Sequence, residues 1–349
     1  MPQDQTKYLY TLAYWLFFSA FCVFTMIIVG AITRLTGSGL SMVEWRPLVG
    51  TIPPLNDAEW SRVFELYKES PEFQKKNFWM GVDDFKIIFF WEWFHRLMGR
   101  LIGLIYALPL FFFLAKGWIP SGYKLRLFGL LILGGLQGLM GWYMVKSGLV
   151  DIPAVSHYRL AAHLSLAFLI ISFLIWLGLS FRKIAAHTHT NPDSALYNHG
   201  LIALTFLALT ICWGAYTAGL DAGLVYNDTF PHMGDNWIPE EVWFYKPVWL
   251  NFFENHAGVQ FIHRWLAMIT VAIVISFTMH AGYKNRTEKV FIFLGIFVLA
   301  QMTLGIVTLY SHVNLHAATA HQAGAVILLI SLITCLHATR FTQPSQLNR

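Results

Sequence analysis

Eight stretches of roughly twenty apolar residues run through this chain, at about 11–33, 87–114, 127–145, 159–181, 200–219, 257–280, 290–310 and 316–338. A helix of about twenty residues spans a hydrocarbon core of about 30 Å. The first stretch is too long for the apolar region of a signal peptide and counts as a span. Of 349 residues, 56% are hydrophobic and 12% charged, about half the charge of a soluble domain. The fold class expected is an all-α integral membrane protein; disordered, fibrous and ordinary cytosolic classes are excluded. Cys22, Cys212 and Cys335 lie in apolar runs without a CxxC. A disulfide scaffold, a zinc knuckle and a thiolate-held iron–sulfur cluster are therefore disfavoured. The net charge of +5 includes no Lys/Arg cluster longer than a pair, so no nucleic-acid partner is expected.

Orientation follows from the short loops. The N-terminus, the even-numbered loops and the tail hold eleven bases: Lys7, Lys116, Lys124, Arg126, Arg182, Lys183, Lys284, Arg286, Lys289, Arg340 and Arg349. Their only acids are Asp4, Asp193 and Glu288. The long loops, about 34–86 and 220–256, are acid-rich; the second has six acids against Lys246. Both termini are expected in the cytoplasm and both long loops outside. In the first loop, Asn56 or Asp57 can cap a helix through Lys68, with Trp60, Phe64 and Tyr67 on one face, read as an interfacial amphipathic helix.

Four pieces recur in order. GAITRLTGSGL (30–40) matches GAYTAGLDAGL (214–224), and WEWFHR (91–96) matches VQFIHR (259–264). Gln137 and Gly141 match Gln301 and Gly305, and RLAAHLSLA (159–167) matches ATAHQAGA (318–325). The expected architecture is two repeated four-helix bundles, 1–190 (with the outer loop 34–86) and 191–349, in parallel because four spans preserve orientation.

Four histidines, His95, His163, His263 and His321, fall inside the even-numbered spans. Each lies about 9–13 Å below the outer surface at 1.5 Å per residue. Facing imidazoles in a bundle suit axial ligation of haem iron, one pair per bundle. Two ligands per bundle are too few for copper or zinc. The glycines around them read equally as close helix packing or as room for a flat ring. His187, His189 and His199 read as a solvated cytoplasmic loop, while His157, His312 and His316 near the outer ends are optional propionate contacts.

The copies differ beside the first histidine. Glu92, the only acid at membrane depth, is replaced by Gln260; Arg34 by Ala218; Arg100 by Met268. Arg96, Arg100 and Arg264 share that depth, with Arg159 near the boundary. Intramembrane charge marks function by default, and the structural alternative is an i,i+4 ion pair between Glu92 and Arg96. Chemistry is therefore expected in the first bundle and a plain cofactor in the second.

These motifs, with GAITRLTGSGLSMVEWRPLVGTIPPL, DFKIIFFWEWFHRLMGRLIG and AGLDAGLVYNDTFPHM, resemble the haem A synthases over nearly the whole chain. The resemblance implies an oxidoreductase that takes the C8 methyl group of haem O to the formyl group of haem A for cytochrome oxidase. It implies haem b as cofactor between His263 and His321, substrate haem between His95 and His163, and Glu92 as the catalytic acid. Arg34, Arg96, Arg100, Arg159 and Arg264 become possible propionate or charge partners. Haem O synthase and oxidase assembly factors are the implied partners, with homo-oligomerisation left open. One branch of the family carries a cysteine pair in the first outer loop; this chain has none there, which speaks against thiol chemistry. No Arg/Ser-rich transit peptide precedes the first span, so a bacterial inner membrane is expected. The rival is a di-haem cytochrome b that carries electrons from quinol; a transporter is disfavoured because only Pro109 interrupts a span interior.

Reporter fusions after Lys116, Ala186 and Lys284 are expected to read cytoplasmic, and one after Asp235 external. A reversed signal at any of them breaks this topology.

Overall fold

The computed structural model describes residues 3–44, 49–150, 153–187, 192–286 and 288–340. Two residues of the sequence argument, His189 and Arg349, lie outside the described residues. Nine α-helices appear among the described residues: α1 (Gln3–Leu35), α2 (Asp57–Lys68), α3 (Val82–Ala115), α4 (Ser121–Lys146), α5 (His157–Ala185), α6 (Ser194–Gly219), α7 (His256–Tyr283), α8 (Lys289–Tyr310) and α9 (Leu315–Thr339). All but α2 are long and apolar enough to cross a membrane, as the eight stretches require.

Local chemistry sets the ends. Asn56 caps α2, its side chain accepting from Glu59 N–H at 2.9 Å. The Asn255 side chain accepts from Ala257 N–H at 2.9 Å and starts α7. The α3 helix begins at Val82, earlier than the apolar run suggests. Asp83 and Asp84 favour its positive N-terminal end, and Asp84 Oδ2 accepts from Gly81 N–H at 3.0 Å. The added turn projects beyond the apolar stretch and carries Phe85. There α2 lands: Phe64 and Tyr67 are buried against Phe85, Ile88 and Phe89, and the Tyr67 ring stacks on Phe85 with centroids 5.0 Å apart. The expected amphipathic helix therefore forms, but its apolar face covers α3 instead of lying on lipid.

The spanning helices form two closed rings. In the first, α1 and α4 each pack on both α3 and α5; in the second, α6 and α8 each pack on both α7 and α9. The rings meet through α5 on α9, α1 on α9 and α5 on α6. Exchanging α1, α3, α4 and α5 for α6, α7, α8 and α9 leaves this set of contacts unchanged, as the duplicated sequence leads one to expect. The apolar core is uneven along the helices. It is built from the start of α1 (Leu12, Leu16), the end of α5 (Leu174, Phe181), the start of α6 (Leu196, Ala203) and the ends of α7 and α9 (Phe277, Leu336). All of these lie toward the ends expected in the cytoplasm. The four histidines occupy the opposite, outer half, where the continuous core stops.

One buried acid supports the outer layer. Glu72 is 6% exposed and accepts from the Tyr67 hydroxyl at 3.0 Å. Burial chiefly raises its pKa to about 7, the Glu92 charge adds to the rise, and Tyr67 and Lys76 oppose it. A carboxyl raised in the folded state favours folding while protonated. The seating of α2 is therefore expected to weaken as pH climbs from about 4.5 through 7. Limited proteolysis within residues 57–81, compared between wild type and Glu72→Gln at each pH, checks this. The wild type should become more susceptible as pH rises and the variant should not; parallel profiles contradict the assignment.

Candidate functional site

Each ring places its two histidines on diagonally opposed helices: His95 on α3 and His163 on α5, His263 on α7 and His321 on α9. All four side chains are only half-buried although they lie within apolar helices. They border space that protein side chains do not fill.

A glycine backs every one of these rings. A Cβ built on Gly30 would stand 3.0 Å from His95 Cε1, and one on Gly141 3.1 Å from His163 Cε1. In the second ring, a Cβ on Gly214 or Gly305 would stand 2.9 Å from Cε1 of His263 or His321. In the second ring those distances are shorter than real Cβ contacts, and in the first an added Cβ would require the imidazole to give by a few tenths of an ångström; each imidazole therefore rests against bare backbone. Gln137 and Gln301 add the same support in the two rings. Gln137 Nε2 donates to His163 O at 3.1 Å, and Gln301 Nε2 to His321 O at 3.0 Å. His263 Nδ1 lies 3.1 Å from Thr210 O. A carbonyl only accepts, so Nδ1 carries the proton and Nε2 keeps its lone pair for a metal. His95 Nδ1 and His163 Nδ1 are buried without a hydrogen-bond partner among the described residues. Paired imidazoles across a diagonal, glycine backing and the partial exposure of all four rings together suit a flat, iron-bearing macrocycle in each ring. Among the described residues no group of three or more His, Cys, Asp or Glu is placed to hold a metal ion.

Outward of the first pair, Glu92 is 3% exposed and forms the expected ion pair with Arg96. Its Oε2 also accepts from Ser41 Oγ and from Met42 N–H, each at 2.7 Å. Arg96 Nη2 in turn donates to Met42 O at 3.1 Å. The pair thus clasps the strap that follows α1, residues 36–44. The second ring repeats the clasp with other chemistry. Gln260, at the position of Glu92, donates to Ala222 O at 2.8 Å and Val225 O at 2.5 Å, and Ala222 and Val225 stand where Ser38 and Ser41 stand in the first copy. Arg264 donates to Tyr226 O at 2.5 Å, and Tyr226 matches Met42.

The remaining arginines separate. Arg34 reaches across the two rings, pairing with Asp221 at 2.9 Å and donating to Ala218 O, its own repeat equivalent. Arg159 donates to Tyr143 O at 2.7 Å and lies 3.7 Å over that ring. Arg100 follows Arg96 by one turn, deeper in α3. His157 faces Glu254 at 3.7 Å and His312 faces Asp228 at 3.8 Å. His199 departs from its expected loop: it lies in α6, with Nδ1 3.2 Å from His280 Nδ1 of α7.

Comparison with known proteins identifies the family. A family model described as cytochrome oxidase assembly protein (COX15-CtaA) matches residues 13–333. The chain is 46% identical over 342 residues to the haem A synthase of Rhodospirillum centenum, covering 97% of this chain and 91% of that one. It is 43% identical over 333 residues to that of Nitrosospira multiformis, at 94% and 93% coverage, and 44% identical over 343 residues to that of Agrobacterium fabrum, at 94% and 90%. The chain belongs to the haem A synthase family. Within this chain the four histidines are singled out by their geometry, each lying in an apolar helix against a glycine. Their glycine backing, with Gly30 and Gly214 at the head of a repeated motif and Gly141 and Gly305 inside another, is the part that sequence reading left unassigned. For this haem A synthase relative, Gly214→Ala is expected to cut the haem retained on purification severalfold. Gly135→Ala, where an added Cβ meets nothing within 4 Å, should leave it unchanged. Equal retention in both contradicts the backing role.

Proposed function

We propose that the chain oxidises the C8 methyl group of haem O to the formyl group of haem A, acting on a CH bond as a haem-dependent oxidoreductase of cytochrome oxidase assembly. The break in internal symmetry carries this reading: an acid, Glu92, beside His95 where the second copy has Gln260. A di-haem electron carrier needs no such difference, and the relatives carry the synthase name.

On this reading the N-terminal half, 1–190, holds substrate haem between His95 and His163. The C-terminal half, 191–349, holds haem b between His263 and His321. When bound, haem b supplies a one-electron redox centre beside the substrate half. Gly30 and Gly141 set the reach of the substrate's two imidazoles, and Gln137 steadies α5 beside His163. Converting methyl to formyl removes four electrons in two successive two-electron oxidations, adds one oxygen atom from water or dioxygen, and releases protons from the reacting carbon. Glu92 stands one helical turn before His95, so its carboxylate can lie at the ring edge while His95 faces the metal. Arg96 and Arg264 lie outward of the histidines in their two halves and suit propionates; Arg34, Arg100 and Arg159 are the weaker candidates. A second reading of Glu92, as a purely structural clasp, is favoured by its three donors. Inner-membrane placement with cytoplasmic termini, and work alongside haem O synthase and oxidase assembly factors, complete the proposal.

His263→Ala or His321→Ala is expected to abolish the low-spin haem b spectrum; a full haem b complement in both variants contradicts the ligand assignment. Glu92→Gln should insert normally and keep haem b, yet accumulate haem O or a partly oxidised product, read by mass spectrometry of extracted haems. Wild-type haem A levels would leave Glu92 as a clasp alone.

A further inference from the structure

The two straps end differently. In the C-terminal half, Asn227 is 6% exposed, and its side chain donates to Leu309 O at 2.9 Å and Gly223 O at 2.8 Å. The strap after α6 is thereby laced to the outer end of α8. The repeat equivalents of Asn227 and Leu309 are Val43 and Val145. Val43 has no side-chain amide to donate, and between these two valines lies a cavity of about 190 Å³, bordered also by Met42, Arg96, Trp142 and Lys146. The C-terminal lacing has further strands. Arg264 grips two strap carbonyls, Tyr226 O and His232 O. At the position of Lys146 stands Tyr310, with its hydroxyl 3.5 Å from Phe230 O.

We propose that the gap between the Met42–Val43 strap and the outer end of α4 is the passage through which substrate haem reaches the N-terminal ring and product leaves, and that Asn227 closes the equivalent gap over the cofactor. The proposal rests on the function proposed above. Its ligand is an apolar macrocycle carrying carboxylates. Among the described residues Met42, Val43, Trp142 and Val145 give the gap an apolar wall, to which Lys146 adds a cation and Arg96 a guanidinium already paired with Glu92. Lys146 sits 5.3 Å over the Trp142 ring. The cavity is smaller than the roughly 300–1,000 Å³ of small-molecule sites, so passage requires the strap to swing outward. Apolar contacts of Met42 and Val43 with the α2–α3 cluster and the Glu92 clasp hold the strap down. A substrate half has to exchange its haem each turnover and a cofactor half does not; the Asn227 lacing of one half and the valine at the equivalent position of the other follow that division.

The test exchanges the lacing between the halves. Full-length protein in detergent is loaded with haem O and mixed with excess apomyoglobin as haem acceptor. Loss of haem O and of haem b is followed by mass spectrometry. Wild type should release haem O and keep haem b. Val43→Asn should slow haem O release by about tenfold, as one added hydrogen bond allows, with haem b retention unchanged. Asn227→Val should speed haem b loss by about the same factor. An unchanged haem O rate in Val43→Asn overturns the passage; that variant decides alone if Asn227→Val fails to fold. A wild type that takes up no haem O overturns the proposed function instead.

Discussion

An imidazole resting against the bare backbone of a glycine on the next helix, repeated four times, is the contact on which the rest of this structure depends. At 2.9–3.1 Å from a would-be Cβ to His Cε1 an added methyl would push each ring out of place, so glycine at these positions and the placing of the imidazoles go together. The diagonal placement of each His pair then leaves a slot, and the apolar core confines itself to the opposite half of the membrane. Burying Leu, Ile and Phe side chains against one another at that end holds the helices together without filling the slot. The molecule thus separates a packed half that sets the fold from a half in which the histidines are only partly buried, where the haems are proposed to sit.

The duplication explains why both slots exist, and its imperfections explain why they differ. Both copies tie the strap after their first helix to the residue three before the histidine and to the arginine that follows it. One copy does so with a carboxylate accepting from an N–H and a hydroxyl, the other with an amide donating to two carbonyls. The geometry is shared while the charge is not. Arg34 marks where the copies meet, donating to the carbonyl of its own repeat equivalent and pairing with Asp221. Charge within the outer half is therefore concentrated on the N-terminal side, where the chemistry is proposed.

Much of this was legible in the sequence. Apolar length gave the eight spans because lipid leaves a helix few alternatives, and the order of four weak motifs gave the repeat. The four histidines stood out because each recurs at the same depth in its copy. Other features were hidden for physical reasons. Gly30 and Gly214 were visible as repeat matches, but nothing in a sequence says that a glycine on one helix faces an imidazole on another. The face of α2 was read correctly and its neighbour was not, since periodicity reports that a surface is covered, not what covers it. His199 looked like loop because the polar run HTHTNPDSALYNH hides the Asp193 cap, whose side chain accepts from Leu196 N–H at 2.9 Å and starts α6. The lacing by Asn227 needs two helices in place before it means anything.

The claim at the centre of this account is that two similar slots hold two different haems, one kept and one exchanged. The masses of the haems extracted from purified wild-type protein test it most directly. The account predicts haem b together with haem O, haem A or a partly oxidised form, the second set varying with substrate supply while haem b stays constant. Two equivalents of haem b and nothing else, whatever the supply of haem O, would contradict it.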